Sequence, residues 1–181
     1  MKVTETGIPG LLVLQPKVYD DDRGRFYESY HSRDFIHRRL SYFFVQDNEA
    51  QSHYGVIRGL HFQRGFYAQA KLVRVTFGRV LDVAVDLRPD SPSYKSVFSI
   101  ELSHETNEQL LIPRGFAHGY AVLSPFCVFS YKCDQYYMKS SEGGIHPLDP
   151  TLNINWQVPS DRQIISEKDR NLPFLDSIQF D

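Results

Sequence analysis

The chain has little cysteine, methionine or tryptophan: 181 residues carry two Cys, two Met and one Trp. Cys127 and Cys133 cannot make a disulfide-dense scaffold, and no CxxC or Cys…His spacing offers a zinc site. Within FCVFSYKC they alternate with aromatics, so they read as buried, reduced thiols of a cytoplasmic protein. No apolar run reaches the length of a membrane-spanning helix. The N-terminal MKVTETGIPGLLVLQP is interrupted by Glu5 and Pro9, and no small-residue cleavage site follows, so no secretory leader is expected. No GxGxxG follows a strand and no GxxxxGK[ST] occurs, which leaves dinucleotide and P-loop chemistry unsupported. Charge of one sign is missing too. Twenty Lys and Arg against 22 Asp and Glu give a net charge of -2, so no basic field points to nucleic acid or a membrane surface. Low-complexity segments, linkers and fixed-period repeats are absent, and the length fits one domain over 1–181.

What is present is alternation with period two. In Lys71–Phe77, Val73, Val75 and Phe77 fall on one face; past the Gly78-Arg79 turn, Leu81, Val83, Val85 and Leu87 share another. Residues 97–102, 109–112, 119–123 and 128–133 also read as strands. Helical pattern is sparse. Residues 32–40 predict one short helix capped by Ser32, and 103–107 and 166–169 predict single turns. Many short strands with close turns predict an all-β sandwich or barrel with a few short helices. Alternate residues of such strands converge on one cavity.

The segment GVIRGLHFQRGFYAQAK, 55–71, sets Arg58, His61 and Lys71 in an aliphatic and aromatic context. Buried cations are costly unless paired, and an anionic ligand would pair them. Arg58 and His61 are an odd number of residues apart, so both face one pocket only if Gly59 or a bulge resets the register. Each candidate has an ordinary reading. His61 and His118 fit satisfied core histidines, Lys71 a snorkelling surface lysine and Tyr131 a core tyrosine. Asp169 fits the last position of a capping box begun by Ser166. Together they supply the groups for proton transfer beside a carbonyl. A metal-binding barrel is the competitor, but Gln63 and Gln69 stand where it would place ligands, and Gln is a poor ligand for transition metals. Gln46-Asp47-Asn48 reads as a polar loop closing a strand or as pocket groups, as do Arg23 and Glu28 near Gly24. Tyr136 and Tyr137 fit an interface, a core or a stacking face for a base.

DDRGRFYES, FVQDNEAQSHYGVIRGLHFQ, AQAKLVRVTFGRVLDVAVDLRPDSPSY, LLIPRGFAHGYAVLS, YKCDQYY, SEGGI, DPTLNINW and SEKD occur in this order. Together they resemble the dTDP-4-dehydrorhamnose 3,5-epimerase family over roughly residues 10–173. The resemblance implies a cupin-like jelly-roll barrel, free of metal and cofactor, forming homodimers. It implies conversion of dTDP-4-dehydro-6-deoxy-D-glucose to dTDP-4-dehydro-L-rhamnose in L-rhamnose synthesis. By the same resemblance His61 is the base, Asp169 its carboxylate partner, Tyr131 the acid on the opposite face and Lys71 the group at the C4 oxygen. Arg23, Phe26, Glu28, Gln46, Asp47, Asn48, Arg58, His118, Glu142 and Lys168 match substrate-contacting positions, and Tyr137 the aromatic that stacks on thymine. The chain departs from the family in having Phe66 for a frequent Pro and Pro147-Leu148 for a frequent Trp-Asn pair. Relatives on this scaffold epimerise C3 or C5 alone. For the homodimer, a strand from the apolar segment 10–18 is expected to pair with the partner's sheet.

Overall fold

The computed structural model describes residues 1–178. Strands β1 (Lys2–Glu5), β2 (Leu12–Gln15), β3 (Val18–Asp21) and β4 (Gly24–Tyr27) precede helix α1 (Ser32–His37). Then follow β5 (Gln46–His53), β6 (Val56–Gln63), β7 (Lys71–Phe77), β8 (Arg79–Asp86) and β9 (Val97–Ser103). The chain continues through β10 (Gln109–Ile112), β11 (Phe116–Val122), β12 (Phe126–Cys133), β13 (Glu142–Gly144) and β14 (Ile164–Ile165), and α2 (Glu167–Arg170) follows. One sheet has the order β1-β2-β10-β7-β12-β5, the other β13-β6-β11-β8-β9 with β14 beside β6; β3 and β4 form a separate hairpin. Apart from the parallel β14–β6 pair, neighbouring strands are antiparallel. The expected jelly-roll architecture is therefore the one observed.

Period-two patterning explains the layers. Between the sheets, Val73, Val75, Leu110 and Phe129 meet Ala84, Leu102, Tyr120 and Val122 in one buried cluster. The opposite face of β8, Leu81, Val83 and Val85, packs under the C-terminal third through Ile145, Trp156 and Leu175. Leu72, facing away from Val73, packs with Leu14, Leu111 and Phe35 of α1. Truncating a fully buried ring such as Phe129 to Ala would cost about 3–5 kcal/mol.

Several expectations need correction. Phe77 does not continue the Val73–Val75 face: the β7–β12 register shifts between Val128 and Phe129, and Phe77 lies exposed against His104 and Phe126. A bulge breaks alternation there. Ser32 is the first helical residue and not the cap; His31 occupies the cap position without a side-chain hydrogen bond, and the helix ends at His37. Arg39 takes a positive φ of 61°, which stops propagation toward Leu40. Residues 103–107 form a turn in which Ser103 Oγ accepts from Thr106 N–H. Gln46-Asp47-Asn48 is no loop but the start of β5, paired along its length with β12. Strand β2, within segment 10–18, is flanked by β1 and β10 of its own chain, so that strand has no edge left for a partner. Low hydrophobicity hid β5, because only one of its faces is buried.

Asp86 anchors the β8–β9 connection. Its carboxylate accepts from Arg88, Ser91 and Ser93. Burial alone would raise its pKa, but these donors outweigh burial and hold it at about 2.

Candidate active site

The site lies between the two sheets and draws on both. From the first sheet, the inward face presents Lys71 on β7, Tyr131 and Cys133 on β12, and Gln46 and Asn48 on β5. The register explains this set, since Tyr131 lies opposite Asn48 while Cys133 lies opposite Gln46 and Lys71. From the second sheet, His61, His118, Tyr120 and Arg58 share one face. Arg58 and His61 do so because three steps along β6 match two along β11: His118 pairs with His61, but Tyr120 pairs with Arg58. The expected register reset is thus present at Gly59, whose φ is 120°. A Cβ there would sit 2.6 Å from Gly119 Cα, so both the dihedral and the close approach require glycine.

Two adjoining cavities, of about 340 and 560 Å³, share His61, Lys71 and Tyr131 in their walls. The first adds Gln46, Asn48, Gln63, Gln69, Tyr137 and Glu142. The second adds Arg58, His118, Lys168 and Asp169.

His61 Nε2 lies 2.7 Å from Asp169 Oδ1. A carboxylate that only accepts makes Nε2 the protonated nitrogen and leaves Nδ1 with the lone pair. Asp169 is held in turn. Its N–H donates to Ser166 Oγ, which caps α2, and its Oδ2 accepts from Gly59 N–H. The capping half of the expected box forms, while the carboxylate turns inward to His61. Burial would raise the Asp169 pKa; the His61 contact first, then Gly59 and Ser166, outweigh burial and lower it. Burial pushes the Tyr131 phenol up, which keeps it protonated as a donor. Burial also pulls Lys71 down, against the opposing pull of Cys133, Asp82 and Glu142. Lys71 has no hydrogen-bond or ion-pair partner among the described residues; its Nζ lies 5.9 Å from the Tyr131 ring centroid.

At the mouth, Glu142 accepts from Lys168 Nζ at 2.7 Å and from Tyr137 OH at 3.1 Å. Burial would raise its pKa, but Lys168 prevails and lowers it. Gln63 and Gln69 serve as backbone anchors: their side-chain amides donate to Tyr67, Tyr136 and Gln135 carbonyls. Among the described residues no group of three or more His, Cys, Asp or Glu is placed to hold a metal ion.

Four expected site residues are not in these walls. Asp47 points to the other face of β5 and pairs with Lys132 at 2.9 Å; strand alternation sends it outward from Gln46 and Asn48. Arg23, in the β3–β4 turn, pairs with Asp21. Phe26 is two-thirds exposed and Glu28 is exposed.

A family model described as dTDP-4-dehydrorhamnose 3,5-epimerase matches residues 5–177. The chain belongs to this family of isomerases. The dTDP-4-dehydrorhamnose 3,5-epimerase of Salmonella typhimurium is 47% identical over 182 residues, covering 97% of this chain and 96% of the relative. The crystal structure of the family's enzyme from Elizabethkingia anophelis superposes with a TM-score of 0.93 at 47% identity, covering 97% of each chain. The enzyme from Legionella pneumophila in complex with dTDP-4-keto-L-rhamnose gives 0.94 at 42% identity, covering 98% of this chain and 94% of that one. Within this epimerase scaffold, sequence reasoning passed over Cys133 and Tyr120, which line the cavities, and Asp82, which bonds His118. Asp82 had a usable signal, an acid inside the apolar run VLDVAVDL; the other two look like ordinary core residues until the strands are paired.

Proposed function

We propose that the chain epimerises C3 and C5 of dTDP-4-dehydro-6-deoxy-D-glucose, giving dTDP-4-dehydro-L-rhamnose for L-rhamnose synthesis. The observation that carries this reading is the opposition of His61 on one sheet, bonded to Asp169 of α2, to Tyr131 on the other sheet, with Lys71 in the same walls. A C4 ketone acidifies the hydrogens on C3 and C5, because the carbanion formed is an enolate. His61 Nδ1 takes the proton, and Asp169 stabilises the resulting imidazolium. Lys71 balances the charge on the C4 oxygen. His118 has its Nε2 engaged with Asp82 at 3.0 Å, which leaves that task chiefly to Lys71. Tyr131 returns a proton from the opposite sheet and so inverts the centre. The ketone is the electron sink, so the reaction as written draws on no cofactor or metal. Arg58 and Lys168 face the diphosphate, and Tyr137 stacks on the base.

The decisive measurement is product analysis in D2O after exhaustive chelation. Full turnover with one deuterium at each of C3 and C5 is expected. Deuterium at a single carbon would make the enzyme a mono-epimerase. Activity lost on chelation and restored by one metal would overturn the mechanism.

The same reading makes residues 1–181 one domain, the protein cytoplasmic and the assembly a homodimer without nucleic-acid or membrane partners. Two free, buried cysteines fit a reducing compartment. A second copy gives the exposed Arg23, Phe26 and Glu28 something to reach, because they are substrate groups by resemblance yet stand outside their own chain's cavity. A strand contact between copies would use a sheet edge: β1 or β5 of the first sheet, β9 or β13 of the second. Light scattering at micromolar concentration should give twice the 21.0 kDa chain mass; a 21.0 kDa species would refute the dimer.

A further inference from the structure

Residues 134–138 carry the chain from β12 of the first sheet toward β13 of the second, and they place Tyr137 in the wall of the smaller cavity. They belong to no strand, so their main-chain groups must find partners outside a ladder. Glutamine side chains supply them. Gln63 Nε2 donates to the Tyr136 carbonyl at 3.2 Å, and Gln63 Oε1 accepts from the Met138 N–H at 2.6 Å. Gln46 Oε1 accepts from the Tyr137 N–H at 3.3 Å, and Gln69 Nε2 donates to the Gln135 carbonyl at 2.8 Å. Amides from β5, β6 and the β6–β7 connection thus grip every residue from 135 to 138.

We infer that Gln63 and Gln69 are positioning residues for the nucleotide: they fix the 135–138 main chain so that the Tyr137 ring stands where the base stacks. The inference rests on the stacking role proposed for Tyr137.

Gln63 lines the cavity, yet its amide is spent on main chain. Its Nε2 also donates to the Tyr67 carbonyl at 2.8 Å, so both amide protons and the oxygen are engaged. Buried and with no donor left for substrate, it acts through what it holds. Its place in the sheet adds to this. Gln63 ends β6 and lies opposite Glu142 in the β6–β13 pairing, and Glu142 accepts from the Tyr137 hydroxyl at 3.1 Å. One side chain therefore fixes the main chain on both sides of Tyr137, while the residue paired with it fixes the tip of the ring. With half its surface exposed, Tyr137 is held chiefly by these hydrogen bonds. An aromatic set in advance at the stacking position spares the ordering cost on binding.

The test measures dTDP binding by titration calorimetry, and kcat and KM with the 4-keto-6-deoxy sugar nucleotide. It compares the full-length enzyme with Gln63→Met, Tyr137→Ala and the double variant. Tyr137→Ala should weaken dTDP by about 5- to 150-fold, the loss expected for one base-stacking aromatic. Methionine keeps the length of glutamine without its donors or acceptor, so Gln63→Met should weaken dTDP by about 5-fold or more. Its KM should rise in step while kcat holds, because the base is bound alike in the ground and transition states. In the double variant Gln63→Met should add nothing to Tyr137→Ala. Gln69→Met should give the same pattern and serves if Gln63→Met fails to fold. Wild-type dTDP affinity in the folded glutamine variants, losses that multiply in the double variant, or a fall in kcat in place of the rise in KM would each overturn the inference. Tyr137→Ala that binds dTDP at wild-type strength would instead overturn the stacking role itself, whatever the glutamine variants do.

Discussion

Replacing His61 with alanine is expected to abolish both epimerisation and solvent deuterium exchange at C3 and C5. The loss should exceed the roughly 10²–10⁴-fold typical of one general acid or base, because no other base shares its position. His118, the nearest imidazole in the pairing register, has its Nε2 engaged with Asp82. Tyr131→Phe should behave differently. It leaves His61, Asp169 and Lys71 in place, so the enolate still forms and the imidazolium can return the proton to the face it came from. Exchange at C3 or C5 should therefore survive while inversion is lost. Proton NMR of substrate recovered from D2O reads the two outcomes directly. Identical exchange in the two variants would refute the assignment of base and acid to opposite sheets. Near wild-type exchange in His61→Ala would move the base elsewhere, with His118 the next to test.

Lys71→Met is expected to lower kcat by about 10²–10³-fold, the range seen when one oxyanion donor is removed. The methionine keeps the length and apolar stem of lysine, so the β7 strand and its pairing with Cys133 should persist. Stability should rise or hold, since a desolvated charge is removed from between the sheets. The informative pattern is a large fall in kcat with an unchanged or higher melting temperature. A parallel fall in both would mean Lys71 supports the fold, and an unchanged kcat would remove it from the mechanism. Exchange at C3 and C5 should fall along with inversion, because enolate formation precedes both; this separates Lys71 from Tyr131, which acts after it.

Much of this was legible in the chain. Alternation in VRV and VLDVAVDL encodes which side chains share a face of β7 and β8, because strand side chains alternate whatever the partner strand is. Local chemistry encoded the Ser166 cap, and the odd spacing of Arg58 and His61 around a glycine encoded a register reset. The residue types needed for proton transfer, and their match to a family, were likewise open to reading from the sequence. Pairing was not. β5 carries QDNEAQSH, whose polarity resembles a loop, and only its alignment with β12 shows that Gln46 and Asn48 face the cavity while Asp47 faces Lys132. The union of His61 with Asp169, more than a hundred residues away, required α2 to be capped and docked beside β6. The half-satisfied state of Asp82 and the half-buried, unpaired ammonium of Lys71 exist only once two sheets close around them. Sequence determines which faces of local elements are apolar, because that depends on neighbours along the chain. Charges, exposures and proton affinities inside the barrel depend on neighbours through space, and only the tertiary structure decides those.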